Sequence, residues 1–167
     1  TKITGRNVLF NNTVFNLKAN GIMLTNLHFV LDKDFVENEG ACILVSANNV
    51  TVYNVNINYI VPKNVTGFGI YSNGLDAKLS GVKLVNNTVN MQGNALLGGY
   101  NYGMVLTNTI DAIVSGNIIN CSLPLRAVNW MAEIYGGISM DAVAGFAADS
   151  CNNLRLSDNH IRCVVNG

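Results

Sequence analysis

The feature that most constrains this sequence is a short pattern that occurs five times along the chain. Each copy begins with a short run in which apolar residues occupy every other position. A polar corner that contains Asn follows, and then a second run of the same kind. Alternation with period two places every other side chain on one face, which is typical of a β-strand. The five copies are residues 22–29, 50–57, 82–89, 112–119 and 154–161.

The distance between successive copies varies, which predicts fixed strands joined by connections of variable length. A third apolar run lies between successive copies, at residues 41–45, 68–71 and 102–106, and a fourth such run falls within residues 137–147. Three short strands per repeat predict one coil of a β-solenoid, with coils stacked roughly 4.8 Å apart. Leucine-rich repeats are disfavoured because the sequence lacks their Leu-x-x-Leu-x-Leu frame and their regular period.

We therefore predict an all-β fold, a right-handed parallel β-helix of about five to six coils with three short strands each. Residues 1–167 form a single domain in this interpretation. Apolar residues at alternate positions of the repeat should point inward, and these are Val50, Val52, Val55, Ile57, Val82, Leu84 and Val89. The terminal coils of a solenoid expose apolar faces and strand edges, so we expect contacts with flanking coils or end-to-end stacking.

The corners of the repeat explain why the chain contains 27 Asn residues. Asn adopts the left-handed backbone conformation of a sharp bend more readily than most residues other than Gly. Asn side chains in successive coils can also hydrogen-bond to one another as a ladder along the axis. The corner residues are predicted to be Asn26, Asn54, Asn87, Asn117 and Asn159.

Charge and hydropathy exclude two classes of partner. Only 12% of the residues are charged and the formal net charge is zero, so there is no basic patch for nucleic acid. No run of about 18 apolar residues predicts a membrane span. The chain starts at Thr1 without a signal peptide, and we expect a mature chain or a piece of a longer protein.

Long connections between the second and third strands should neighbour one another on one side of the stack, as a loop ridge. This ridge comprises residues 32–40, 61–66, 92–101 and 121–136. Loops on a rigid scaffold commonly carry function, and aromatic faces beside polar groups suit sugar rings. The ligand-binding candidates are Tyr100, Tyr102, Arg126, Trp130, Glu133 and Tyr135. In the alternative interpretation, Trp130 and Tyr135 turn inward and anchor their own loop.

Acidic residues cluster at the start of this ridge, at Asp32, Asp34, Glu37 and Glu39. Calcium requires several oxygen ligands, so this cluster could hold calcium, whereas a solvated acidic loop is the simpler interpretation. No other cofactor is indicated. Glycoside hydrolysis needs two carboxylates roughly 5 to 10 Å apart, and the acids near the corners do not occupy equivalent positions in adjacent coils.

Covalent modification is indicated at two kinds of residue. Five Asn-x-Ser/Thr sequons could accept glycans, at Asn11, Asn49, Asn64, Asn86 and Asn120, although chance sequons are expected in a chain so rich in Asn. Cys121 and Cys163 occupy matching positions of two repeats, so they should stack either as a disulfide or as a pair of thiols. The simpler interpretation of all four cysteines, Cys42 and Cys151 included, is that they are buried thiols.

The repeats resemble those of pectate lyases, phage tailspikes and microbial surface adhesins, and most closely the adhesin-like cell-surface proteins of methanogenic archaea. The resemblance is carried by residues 37–52, by residues 100–104 and by the Cys-Ser-Leu-Pro-Leu-Arg-Ala-Val-Asn-Trp stretch that follows Asn120. It implies a large modular protein, exported to the cell surface or wall, that binds glycans or proteins of a surface or of the environment. The expected function is non-catalytic adhesion. A polysaccharide lyase or glycoside hydrolase is the alternative, and a trimeric phage fibre is a third option.

Overall fold

The computed structural model describes residues 2–5, 13–31, 40–61, 66–93, 100–124 and 142–166. Over these ranges the chain forms β-strands and turns without a helix, and every strand pairing is parallel. The strands form three main sheets and one small sheet. This architecture is β-solenoid-like, in agreement with the all-β parallel fold that the repeat predicts.

Sheet 1 is the largest, and its strands carry the second alternation of each repeat. It comprises β1 (Lys2–Gly5), β4 (His28–Leu31), β7 (Asn56–Val61), β11 (Thr88–Gly93), β15 (Ile118–Pro124) and β18 (His160–Asn166). Sheet 2 carries the first alternation. It comprises β3 (Met23–Thr25), β6 (Thr51–Tyr53), β10 (Lys83–Val85), β14 (Ile113–Ser115) and β17 (Arg155–Ser157).

Sheet 3 carries the third apolar run of each repeat. It comprises β2 (Thr13–Leu17), β5 (Gly40–Val45), β8 (Gly67–Asn73), β12 (Tyr100–Thr107) and β16 (Ala142–Asp149). A small sheet pairs β9 (Leu79–Ser80) with β13 (Thr109–Ile110), and Ile110 makes one further bridge to Asn152. This fourth strand was not expected from the sequence, which indicated three strands per coil.

Along the chain, each repeat passes from sheet 3 to sheet 2 and then to sheet 1. Neighbours within each sheet come from successive repeats, so the repeats lie one against the next. The five copies of the pattern pair in register: Leu24, Val52, Leu84, Val114 and Leu156 form one continuous row across sheet 2. The alignment of the repeats read from the sequence is therefore confirmed in the described residues.

The core lies between the three sheets. All seven apolar residues predicted to face inward are buried, with at most 1% of their surface exposed. At about 25 cal/mol per Å² of apolar surface removed from water, this continuous column is the main source of stability. Phe29 and Tyr59 are the bulkiest side chains in it, and Phe15 contacts Phe29 edge-to-face with ring centroids 5.4 Å apart.

The corner between sheets 2 and 1 differs from the prediction in the last three repeats. Left-handed φ angles occur at Asn26, Asn54, Asn86, Gly116 and Asp158. The predicted corner residues Asn87, Asn117 and Asn159 come one position later and are not left-handed. The predicted set therefore mixed two adjacent positions of the repeat, each of which forms a column of equivalent residues along the stack. The left-handed column contains Asn, Gly and Asp, the residues that accept this conformation.

Asn87, Asn117 and Asn159 instead form an interior ladder beside the corner. Each Nδ2 donates to a carbonyl of the sheet 2 strand in the preceding repeat, at 2.8–2.9 Å, namely those of Val52, Leu84 and Val114. Asn87 Nδ2 also donates to Asn117 Oδ1 at 3.0 Å, and Asn117 Nδ2 donates to Asn159 Oδ1 at 2.9 Å. The ladder that the Asn surplus predicted is therefore present, and it is buried at Asn87 and Asn117.

Sheet 3 bends at a column of small residues. Cys42 and Ile43 are both in the core although they are consecutive, so the strand alternation is interrupted there. The next repeats have Gly69, Gly103 and Gly145 at this position. A methyl group on Gly103 would overlap Ile119 Cγ2 of sheet 1 and lie 2.6 Å from the Gly145 carbonyl oxygen. Only glycine allows sheets 1 and 3 to approach this closely.

Candidate functional site

The bend in sheet 3 turns a group of aromatic side chains to the outer face of the sheet. Ile70 and Met104 point into the core, whereas Phe68, Tyr71 and Tyr102 belong to a separate apolar cluster on the other side. Phe68 stacks on Tyr71 with ring centroids 4.8 Å apart and an interplanar angle of 24°. Phe68 also stacks on Tyr102, at 5.4 Å and 12°. We call these three residues the aromatic platform.

The platform combines a buried centre with partly exposed sides. Phe68 is only 7% exposed, while Tyr71 and Tyr102 are half-buried. Smaller apolar residues border the rings on the same face, namely Ala41, Leu44, Val105 and Ala147. The platform therefore exposes parts of Tyr71 and Tyr102 beside a buried Phe68, on the outer face of a parallel sheet.

The platform adjoins the predicted loop ridge. The segments 32–39, 62–65, 94–99 and 125–141 each connect a strand of sheet 1 to the next strand of sheet 3, and they lie outside the described residues. Phe68 and Tyr102 are each within three residues of the start of their strands, on the side where these connections arrive. Aromatic side chains thus lie near the strand ends at which these connections join sheet 3.

Of the six predicted ligand-binding residues, the structure describes the side chain of one. Tyr102 belongs to the platform. Tyr100 is described only as backbone at the start of β12, and Arg126, Trp130, Glu133 and Tyr135 lie outside the described residues. The sequence analysis missed Phe68 and Tyr71. The available signal was the alignment of Gly67–Asn73 with Tyr100–Thr107, which puts Phe68 opposite Tyr102.

The predicted calcium cluster cannot be placed, because Asp32, Asp34, Glu37 and Glu39 all lie outside the described residues. Among the side chains that the structure does describe, no three His, Cys, Asp or Glu residues come together in a way that could hold a metal ion. Calcium binding by the acidic loop stays a prediction.

The sequons differ in accessibility. Asn49 and Asn86 are exposed and occupy left-handed corners, with φ of 56° and 54°. Asn120 is half-buried within β15, where its Nδ2 donates to Asn90 Oδ1 at 2.9 Å, so a glycan there would break this contact. Asn11 and Asn64 lie outside the described residues. Asn49 and Asn86 are therefore the sterically favourable acceptors among the three described sequons.

The cysteines predicted to stack do so. Cys121 and Cys163 are direct partners in the β15–β18 pairing, and both are free thiols. Burial raises the pKa of the Cys121 thiol to about 12, and the neighbouring Cys163 adds to the increase. Burial also raises the pKa of Cys42. Neither buried thiol is a ready nucleophile near neutral pH, because the thiolate is the reactive form.

One apolar groove of about 290 Å³ lies at the last described repeat. It is lined by Phe146 and by Leu156 and Ile161, which are about half exposed, together with the half-buried Asn159 of the ladder. Its walls are thus the inner face of the solenoid, and it carries no acid–base or nucleophilic group in a paired arrangement. The platform is the better candidate for a ligand-binding surface.

Comparison with protein-family models gives no match, and comparisons with curated proteins and with solved structures give none either. Within the described part of the chain, no helix is long and apolar enough to cross a membrane.

Proposed function

We propose that this chain is a non-catalytic extracellular adhesion module that binds glycans through the aromatic platform and the adjoining loop ridge. Its scaffold would be a right-handed parallel β-helix of five to six coils. The handedness is supported by the strong general preference for right-handed crossovers between parallel strands. The module would belong to a larger cell-surface or cell-wall protein, as the resemblance of its repeats implies.

The stacked rings of Phe68, Tyr71 and Tyr102 are the observation that carries this proposal. The face of an aromatic ring is electron-rich, so it attracts the polarised C–H groups on the apolar face of a pyranose. The two Tyr residues are half-buried, and their phenol hydroxyls add polar groups beside the rings. Because a parallel sheet fixes the rings, little conformational entropy is lost when a ligand binds.

The zero net charge and the 12% charged residues support a neutral rather than a strongly acidic ligand. Aromatic stacking does not depend on charge, so binding through the platform should persist at high salt, where surface ion pairs are screened. We therefore expect the platform to select uncharged pyranose chains, with the ridge contributing the contacts that distinguish one sugar from another.

The experiment is a glycan array followed by affinity measurement on the best ligand, using the wild type, Tyr71→Ala and Tyr102→Ala. Loss of one ring should weaken binding by roughly two- to twelvefold, since an aromatic contact contributes about 0.5–1.5 kcal/mol. Tyr53→Ala is the matched control, because Tyr53 is a 40% exposed Tyr on sheet 2, away from the platform. It should bind as the wild type does.

A turnover assay on neutral and acidic polysaccharides runs in parallel, with the same variants. Release of new reducing ends or unsaturated products by the wild type would support the alternative, a polysaccharide lyase or glycoside hydrolase. Equal binding by Tyr102→Ala, Tyr71→Ala and Tyr53→Ala would remove the platform from the binding site. Absence of any glycan ligand would leave adhesion to a protein surface as the remaining form of the adhesive role.

A further inference from the structure

The paired cysteines of sheet 1 form a site that glycan binding does not use. Cys121 of β15 and Cys163 of β18 are direct partners in a continuous parallel register from Ile118–His160 to Pro124–Asn166. Adjacent strands lie about 4.8 Å apart, which is within the Cα separation of about 4.4–6.8 Å that disulfides require. The Cα separation of the two residues therefore falls within the range that a disulfide spans.

The two thiols differ in exposure although their sulfurs occupy equivalent places. The Cys121 sulfur lies beside Gly103 of sheet 3 and the Cys163 sulfur beside Gly145, but Cys121 is 2% exposed whereas Cys163 is exposed. Only an exposed thiol can meet a solvent-borne oxidant, so reaction must begin at Cys163. The raised pKa of Cys121 agrees with this order, because its thiolate is scarce until a partner sulfur is already in contact.

We propose that Cys121 and Cys163 form a disulfide by exchange with a low-molecular-weight disulfide, with Cys163 reacting first and Cys121 completing the bond. The Cys163 thiolate attacks one sulfur of the small disulfide, which forms a mixed disulfide and releases one small thiolate. Cys121 then loses its proton and attacks the Cys163 sulfur, which releases the second small thiolate. Two protein thiols are oxidised by two electrons, the small disulfide is reduced to two thiols, and the two protons go to the released thiolates.

This bond would tie β18 covalently to β15, in addition to the backbone pairing between the two strands. A reversible cross-link at this position therefore makes the stability of the last described repeat depend on the redox state of the surroundings.

The test treats the reduced chain with oxidised glutathione and follows the products by intact mass and by peptide mapping. The wild type should lose two hydrogens, carry a Cys121–Cys163 cross-linked peptide and retain no glutathione. Cys121→Ser should stop at the intermediate, with one glutathione on position 163. Cys163→Ser should leave Cys121 unmodified over the same period. Cys151→Ser is the control, since Cys151 is partly exposed and lies outside this pair, and it should behave as the wild type does.

A second measurement needs no variant. Brief alkylation of the reduced wild type with iodoacetamide should label Cys163 at least about tenfold faster than Cys121, and the singly labelled protein should no longer form the disulfide. The proposal is overturned by stable glutathione on Cys163 of the wild type, by a cross-link that involves Cys151 or joins two molecules, or by labelling of Cys121 as fast as Cys163.

Discussion

Replacement of Asn117 by Ala should reveal how much the buried ladder contributes to stability. Asn117 is fully buried beside the corner between sheets 2 and 1. Its Oδ1 accepts from the backbone N–H of Asn87 at 2.9 Å and from Asn87 Nδ2 at 3.0 Å. Its Nδ2 donates to the Leu84 carbonyl at 2.8 Å and to Asn159 Oδ1 at 2.9 Å. Four hydrogen bonds therefore depend on one side chain.

The cost of Asn117→Ala follows from what these partners retain. Asn87 Nδ2 keeps its bond to the Val52 carbonyl, and Asn159 Oδ1 keeps its bond to the Asn117 backbone N–H. The buried Asn87 N–H loses its side-chain acceptor, at about 1–3 kcal/mol. The remaining three bonds contribute roughly 0.5–1.5 kcal/mol each and are not additive. We expect the free energy of unfolding to fall by about 3–5 kcal/mol.

Asn90→Ala is the matched control. Asn90 is also the central member of a three-Asn ladder, with its Nδ2 donating to Asn58 Oδ1 at 2.8 Å and its Oδ1 accepting from Asn120 Nδ2. This second ladder lies on the half-exposed outer face of sheet 1, where water can replace the lost partner. Asn90→Ala should therefore cost only about 0.5–1 kcal/mol.

Urea unfolding followed by far-ultraviolet circular dichroism measures both costs, with the slope against urea checked for equality among the three proteins. The prediction is wrong if the losses in free energy of unfolding caused by Asn117→Ala and Asn90→Ala differ by less than about 0.5 kcal/mol. Burial of the ladder would then not increase its contribution to stability.

Two further predictions concern the glycine column and the buried thiol. Gly103→Ala should lower the free energy of unfolding by about 1–3 kcal/mol in urea titrations, because its methyl group would overlap Ile119 and crowd the Gly145 carbonyl; a neutral effect would contradict the close approach of sheets 1 and 3. The contribution of Cys121 to stability should be constant below about pH 9 and be lost as the pH rises towards 12, because the unfolded thiol, with a pKa near 9.0, ionises before the folded one. Cys42, whose pKa burial also raises, adds a loss in the same direction, so Cys121→Ala should remove only part of the fall in urea titrations above about pH 9, and an unchanged profile would contradict the assignment.

The part of the fold that the sequence predicted is the part that depends only on hydrophobic periodicity. Alternation with period two decides which face of a strand is buried, and a shift of one residue would reverse every side chain, so register follows from the pattern. The five copies consequently pair in register, and Val52 and Leu84 are buried as expected. The side chains of the loop ridge could not be positioned from the sequence in this way, because loops of variable length have no period.

The corner was mispredicted in three repeats because residue type alone does not separate two adjacent columns. In the third repeat Asn86 and Asn87 are both Asn, one left-handed and exposed and the other buried in the ladder. The aligned residues Gly116 and Asp158 share the conformational tolerance of Asn86 rather than the hydrogen-bonding role of Asn87. Comparing columns rather than counting Asn residues would have separated the two roles.

The aromatic platform was missed for a different physical reason, which links the site to the stability of the scaffold. Strict alternation would place Phe68 and Ile70 on one face, but the bend at Gly69 puts Ile70 in the core and Phe68 outside. In β8 a side chain at this position is excluded, since a methyl on Gly69 would lie 2.5 Å from both Val89 Cγ1 and the Gly103 carbonyl oxygen. Substitutions that relieve this crowding by straightening the strand would rotate Phe68 towards the core, so they should weaken ligand binding and core packing together.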